Sequence, residues 1–251
     1  MADPQLEQVA ALQAELAALR TEMQAFTATV SHDLRAPLRH IVSFAQLVQE
    51  EAGPQLDAEV RGFLATMVDS ARHMGVMLDG LTALSRAGTE TVVLEPVSLQ
   101  ALVREACNAV PGAGPALQWH MDGDLPLVQA DARLLRHALG HVLGNAVKFS
   151  AGREKPVVSI RRGACSEAGV VELEVCDNGV GFDPALQGKL FQAFGRLHSA
   201  QQFPGVGMGL VLTRKWLQRM GASIAVQGEV GGGCRVQLCF RAVLPPVARP
   251  I

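Results

Sequence analysis

Apolar residues recur along the first third of the chain at alternating steps of three and four: Val9, Leu12, Leu16, Leu19, Met23, Phe26 and Val30. That is the 3.5-residue period of a coiled-coil seam, and no proline or glycine interrupts it after Pro4. The spacing predicts a long helix that pairs with another helix. The stripe continues through Leu34, Leu38, Ile41, Ala45 and Val48, with two successive steps of four beside His32, a stutter that locally changes the supercoil. His32 itself lies off the stripe. Glu50-Glu51-Ala52-Gly53-Pro54 is a stop signal, after which Val60, Leu64, Met67, Ala71, Met74, Leu78 and Leu81 resume the same spacing. Two long amphipathic helices make a hairpin whose apolar faces are each half covered. Association of two copies into a four-helix bundle, a homodimer, is the expected solution.

From about Ala87 the pattern changes. Gly88-Thr89-Glu90 forms a break, Thr91 to Leu94 is a short strand candidate, and Ser98 to Ala109 a helix. Val157 to Arg161, Val170 to Cys176, Ala222 to Gln227 and Cys234 to Phe240 alternate apolar and polar residues, as half-buried strands do. Helices over roughly 132–149 and 209–220 complete a mixed α/β layer. The expected fold class is α+β: a helical hairpin followed by an α/β sandwich. The expected domains are an N-terminal coiled coil (1–22), a dimerisation hairpin (23–88), an α/β domain (89–243) and a mobile, proline-rich tail (244–251).

At 251 residues, with 49% hydrophobic and 18% charged content, the chain has a globular balance and room for two modest domains. A net charge of −2 gives no basic field for nucleic acid. No stretch approaches the roughly 18 to 20 apolar residues of a membrane span, and the N-terminus has no basic region followed by an apolar run. A cytoplasmic location is expected. The five cysteines (Cys107, Cys165, Cys176, Cys234, Cys239) include no C-x-x-C pair, which points to buried free thiols rather than a disulfide framework or zinc cluster.

Three segments carry candidate chemistry. Val30 to Leu38 puts a histidine, an acid and a proline into one helix; Pro37 cannot bond the carbonyl of Asp33, so a bend or loosened turn is expected beside His32. The helix over 132–149 presents an apolar face and a second stripe of His137, His141, Asn145 and Lys148. An amide and an ammonium in line can contact a magnesium ion and phosphate oxygens. The same stripe also suits a plain solvated face, and His137 with His141 has the spacing of a metal pair without a third ligand.

Asp177-Asn178-Gly179-Val180-Gly181 follows a strand directly. Its acid can meet an exocyclic amine while glycine backbone lets a purine approach, although Asn-Gly after a strand is equally a hairpin turn. The run Gly205-Val206-Gly207-Met208-Gly209-Leu210 ends a stretch, Leu197 to Pro204, expected to be flexible. It opens a helix, where free amides and the dipole attract phosphate. It is neither a dinucleotide fingerprint nor a P-loop, lacking the final glycine of one and the lysine of the other.

Ser31-His32-Asp33-Leu34-Arg35-Ala36-Pro37-Leu38 resembles the phosphoacceptor box of sensor histidine kinases. Asn145-Ala146-Val147-Lys148-Phe149 resembles their N box, Asp177 to Gly181 and Gly205 to Leu210 their two glycine boxes, and Phe191-Gln192-Ala193-Phe194 their F box. All five occur in the family's order, over roughly residues 20–242. Arg196-Leu197-His198, with Gln202 to Gly205, is similar to the lid of the phytochrome-type subgroup.

The resemblance implies a dimerising hairpin followed by an ATP-binding domain of the GHKL (Bergerat) type. His32 would attack the γ-phosphate of ATP, and the phosphoryl group would pass to an aspartate in the receiver domain of a response regulator. By carry-over Asp33 would orient or deprotonate His32 and Asn145 would hold Mg²⁺. Lys148 and Arg196 would contact phosphates and Asp177 the adenine amine, with Gly179, Gly181, Gly205, Gly207, Gly209 and Leu210 completing the nucleotide site. An upstream sensor module or a partner protein would supply the signal.

Three positions depart from the pattern. His141 stands where a second asparagine is usual, which bears on Mg-ATP binding; it is not the glutamate of ATP-hydrolysing relatives, so free ATPase activity is disfavoured. Ala36 stands where regulator-dephosphorylating kinases often carry threonine or asparagine, so weak phosphatase activity is expected. Val206 replaces a common threonine. The alternative of another class is a histidine phosphotransferase or pseudokinase that relays phosphoryl groups without ATP.

Overall fold

The structure is a computed structural model that describes residues 4–164, 167–199 and 201–243; Cys165 and the proline-rich tail lie outside these. The chain divides into two compact units between Thr89 and Glu90.

The first unit is a helical hairpin. Helix α1 (Pro4–Ala52) runs unbroken through Pro37, and a 3₁₀ turn over Gly53–Gln55 leads to α2 (Ala58–Ala87). Asp57 caps α2 by accepting from the Val60 amide at 2.8 Å. The helices are antiparallel: Arg35 Nη2 reaches Asp79 at 2.8 Å, while Gln24, earlier in α1, donates through Nε2 at 3.0 Å to the carbonyl of Ser85, later in α2. Where they meet, mostly small side chains are buried, among them Thr27, Ser31, Ala45, Ala71 and Ala87. The seam residues Leu12, Leu16, Leu19, Met23 and Phe26 stay exposed. One protomer's hairpin therefore leaves a contiguous apolar stripe in water.

The second unit begins with β1 (Glu95–Ser98) and α3 (Leu99–Ala109), followed by β2 (Gln118–Asp122), β3 (Leu127–Ala130) and α4 (Ala132–Ser150). Then come β4 (Val157–Arg162), β5 (Val170–Asp177), a 3₁₀ turn over Pro184–Lys189, α5 (Gly209–Arg219), β6 (Ser223–Glu229) and β7 (Gly233–Arg241). β1 pairs antiparallel with β3, while the main sheet has the order β2-β4-β5-β7-β6 with only β2 and β4 parallel. On β5, Val171, Leu173 and Val175 point into the core formed with the helices, whose Leu135, Leu139, Leu143 and Leu217 are fully buried. Glu174, on the opposite face, is buried between Arg161, whose Nε donates to it at 2.6 Å, and Arg235 at 3.4 Å. This is the two-layer α/β sandwich that the strand and helix patterns predict.

Two expectations need correction. The first strand is Glu95–Ser98, not Thr91 to Leu94, because the Val93 amide is taken by Asp131 Oδ2 at 3.1 Å instead of by a neighbouring strand. The same carboxylate caps α4 through the Arg133 and Leu134 amides, both at 3.1 Å. Among the described residues Cys107, Cys176 and Cys234 are free thiols, but only Cys107 is buried; Cys176, Cys234 and Cys239 are half-buried. Cys176 and Cys239 face away from the helical layer, and Cys234 borders an open cleft. Among the described residues no helix is long and apolar enough to cross a membrane.

Candidate functional site

A cleft of about 350 Å³ opens in the second unit between α4, the end of β5 and the segment 195–210. α4 brings His141, Asn145 and Lys148 to it at steps of four and three, which puts them on one face. Of the sequence-predicted residues, Asp177, Gly181, Arg196, Gly205, Gly207, Gly209 and Leu210 also line it. Gly179 does not line it, but its amide donates to Asp177 Oδ1 at 2.8 Å. His32 and Asp33 belong to the helical unit.

Asp177, half-buried, is the one carboxylate among the residues that line the cleft. Burial pushes its carboxyl up to about 6, against the opposing hydrogen bonds from the Gly179 and Cys234 amides and the charge of Arg153. Beside it, burial raises the Cys234 thiol to about 12, with Asp177 adding to the effect, so this thiol stays protonated. Gly181 has φ +60° and a Cβ there would overlap the Glu229 carbonyl. Only glycine fits.

Just before Arg196 the chain turns at Phe194, whose φ of 62° is left-handed in a residue that rarely adopts it. Arg196 then folds back on its own segment: it donates to the carbonyls of Phe203 (2.6 Å) and Gly205. Lys148 Nζ sits 4.4 Å over the Phe149 ring and 3.4 Å from the Pro204 carbonyl. Its pKa is lowered, first by burial and then by Arg196. Two cations thus share one rim with uncapped backbone: α5 begins at Gly209 with no side-chain cap on its first amides.

Sequence reasoning missed His198. Its ring packs against Phe149 (5.4 Å) and Phe203 (5.3 Å), and its Nε2–H donates to the Gly181 carbonyl at 2.9 Å. It ties the segment after Arg196 to the loop after Asp177; the Arg196-Leu197-His198 triplet was the available signal. Beside His137, which packs on the Trp216 ring at 5.6 Å, stands His141. Its Nδ1–H donates to the Gly209 carbonyl at 3.0 Å and its ring stacks on Trp216. No cluster of three metal-binding side chains exists among the described residues.

In the hairpin, the His32 side chain is 85% exposed, and its Nδ1 lies 3.1 Å from Asp33 Oδ1. A proton on Nδ1 satisfies that contact and leaves the Nε2 lone pair facing solvent.

An exposed histidine on a hairpin that leaves its apolar stripe open, followed by a sandwich with an acid-floored, glycine-lidded cleft, defines a class. Residues 22–90 match the His Kinase A (phospho-acceptor) domain, and residues 130–244 match the Histidine kinase-, DNA gyrase B-, and HSP90-like ATPase family. The chain belongs to the sensor histidine kinases. Cyanobacterial phytochrome A of Nostoc is 26% identical over 91% of this chain and 30% of its own length. The circadian input-output histidine kinase CikA of Synechococcus elongatus is 28% identical, covering 83% and 28%. The aerobic respiration control sensor ArcB of Escherichia coli is also 28% identical, covering 90% and 29%. The chain spans about three-tenths of the length of these curated relatives. Full-length ShkA, solved in complex with AMPPNP, superposes with a TM-score of 0.61 at 28% identity, covering 88% of this chain and 47% of that one. The Acinetobacter baumannii kinase AdeS shares the fold, with a TM-score of 0.58 at 18% identity over 84% of this chain and 97% of its own.

Proposed function

We propose that the chain is an ATP-dependent protein-histidine kinase core, dimeric and cytoplasmic, that phosphorylates His32 and passes the phosphoryl group to a receiver-domain aspartate of a response regulator. The observation that carries this reading is one cleft holding a half-buried acid, two rim cations and an uncapped helix N-terminus. An adenine amine suits the Asp177 carboxylate. The phosphates suit Lys148, Arg196 and the amides at Gly207 and Gly209, with Leu210 against the nucleotide. The AMPPNP bound by ShkA supports a nucleotide here.

Asn145 lies between His141 and Lys148 on the cleft face of α4, where its amide oxygen would hold Mg²⁺. The ion would supply charge neutralisation on the phosphates. The His32 Nε2 lone pair forms the new N–P bond as the bond from the γ-phosphorus to the ADP oxygen breaks. The Nδ1 proton then passes to Asp33 or solvent, leaving an uncharged imidazole ring that carries the anionic phosphoryl group on Nε2. The open seam of α1 is the surface for the second protomer, and residues 1–22 would carry the signal from an upstream sensor module or partner protein.

The test is incubation of the 251-residue chain with γ-labelled ATP and Mg²⁺, beside His32→Ala. Acid-labile, alkali-stable label that vanishes in the variant, with ATP binding retained, is the expected result. Label that persists in His32→Ala overturns the assignment of the nucleophile. Absence of both label and nucleotide binding favours a phosphotransferase that works without ATP.

A further inference from the structure

The loop between α4 and β4 carries Arg153, which has no part in the chemistry above and does not line the cleft. Its Nε donates to the Asn178 carbonyl at 2.7 Å, and its Nη2 to the carbonyls of Gly179 at 2.8 Å and Gly231 at 2.6 Å. Three backbone acceptors from two separate segments converge on one guanidinium. The rigid planar fork of arginine suits that convergence, and the flexible ammonium of lysine does not.

The loop after Asp177 is held on its other sides as well. The Asn178 side chain accepts from the Val157 amide at 2.9 Å and donates to the Lys155 carbonyl at 2.8 Å. The Gly231 amide donates to the Val180 carbonyl at 2.8 Å, and a Cβ at Gly233 would overlap the Asp177 carbonyl. The glycine loop is therefore wedged between the β6–β7 turn and the loop after α4, and Arg153 bonds both the turn and the wedge. The Gly179 peptide has two ends in use: its carbonyl is held by Arg153, and its N–H meets Asp177 Oδ1 at 2.8 Å.

We propose that Arg153 is a positioning residue for purine recognition: by fixing Asn178 and Gly179 it aims the Asp177 carboxylate at the 6-amine and makes the cleft prefer adenine to a 6-oxopurine. The inference rests on the reading of Asp177 as the acceptor for that amine. The positive charge of Arg153 also acts on Asp177 directly, opposing the rise that burial causes.

The experiment measures Kd for ATP and for inosine triphosphate, which presents a carbonyl in place of the 6-amine. It uses the full chain as wild type, Arg153→Met and Arg153→Lys, with a thermal melt of each. Wild type is expected to prefer ATP. Arg153→Met is expected to weaken ATP binding by about tenfold, the loss of one hydrogen bond to a charged group, with inosine triphosphate binding changed less than about threefold. Arg153→Lys keeps the charge, loses the fork, and is expected to be as indiscriminate as Arg153→Met. An unchanged ATP preference in either folded variant, with only the melting temperature lowered, means a purely structural role and overturns the proposal. So does a preference restored by lysine. If Arg153→Met fails to fold, the lysine variant alone decides. A wild-type chain without preference for ATP overturns the adenine reading of Asp177, and this inference with it.

Discussion

His141 stacks on Trp216, with ring centroids 5.5 Å apart and 24° between the planes, while its Nδ1–H is held by the Gly209 carbonyl at 3.0 Å. The residue that departs from the family pattern therefore braces the start of α5 against its middle. Burial lowers the His141 pKa; the Gly209 carbonyl works against the shift, and nearby His137 adds to it. A histidine with a lowered folded pKa contributes a stability that is intact above its unfolded value of about 6.5 and is lost as pH falls below it. The difference in melting temperature between wild type and His141→Leu should therefore shrink from pH 7.5 to pH 5.5. A difference that stays constant or grows on acidification contradicts the buried neutral state.

Asp177 has the opposite sign. Its folded pKa of about 6 lies above the ordinary 3.8, so the folded state binds the proton more tightly and stability falls as pH rises between those values. About two pKa units correspond to about 3 kcal/mol carried as a cost at neutral pH. Asp177→Asn, which keeps an oxygen for the Gly179 amide, should stabilise the empty protein at pH 7 in denaturant melts and change it little at pH 4. The same variant should lose ATP binding. Equal effects at both pH values would contradict the buried carboxylate as the source.

Ser31 precedes His32 and is fully buried, yet its hydroxyl is without a hydrogen-bond partner in the structure. A buried hydroxyl left unpaired costs about 1–3 kcal/mol. Ser31→Ala removes the hydroxyl and leaves little space, so the hairpin should gain about 1 kcal/mol in chemical denaturation. A loss of stability would instead show that this hydroxyl is bonded in the assembled protein.

The periodic elements were legible in the sequence because one face of each is buried. The 4-3 seam marks α1 and α2, and alternation marks β4, β5, β6 and β7. β2 was missed because Gln118, His120 and Asp122 are exposed and Trp119 and Met121 only half-buried, so an edge strand leaves a weak pattern. Its parallel pairing with β4 depends on the crossover through β3 and α4, which no local motif records. In the cleft, residues whose chemistry is in their side chains were legible: Asp177, Asn145, Lys148 and Arg196. Arg153 was not, because its partners are backbone carbonyls of Asn178, Gly179 and Gly231, which every residue type carries, and His198 showed only as part of the Arg196-Leu197-His198 triplet. The left-handed turn at Phe194 is equally silent in sequence, since it falls at a residue that disfavours it.

Two glycines seven residues apart in sequence separate a backbone requirement from mere glycine content. Gly181 has φ +60° and its missing Cβ leaves room for the Glu229 carbonyl, whereas Gly188 has open space around that position and no left-handed backbone. An alanine at 181 is strained by roughly 1–2 kcal/mol in the left-handed region and must also push the β6–β7 turn away from the loop that carries Asp177. Gly181→Ala should therefore weaken ATP binding more than about tenfold and lower the melting temperature by several degrees, roughly 2–4 °C for each kcal/mol lost. Gly188→Ala should leave affinity within about twofold and raise stability slightly, by about 0.4–1 kcal/mol, through the less flexible unfolded chain. Calorimetric titration and a melt of both variants decide it: equal effects would show that the close approach at Gly181 does not set the floor of the cleft.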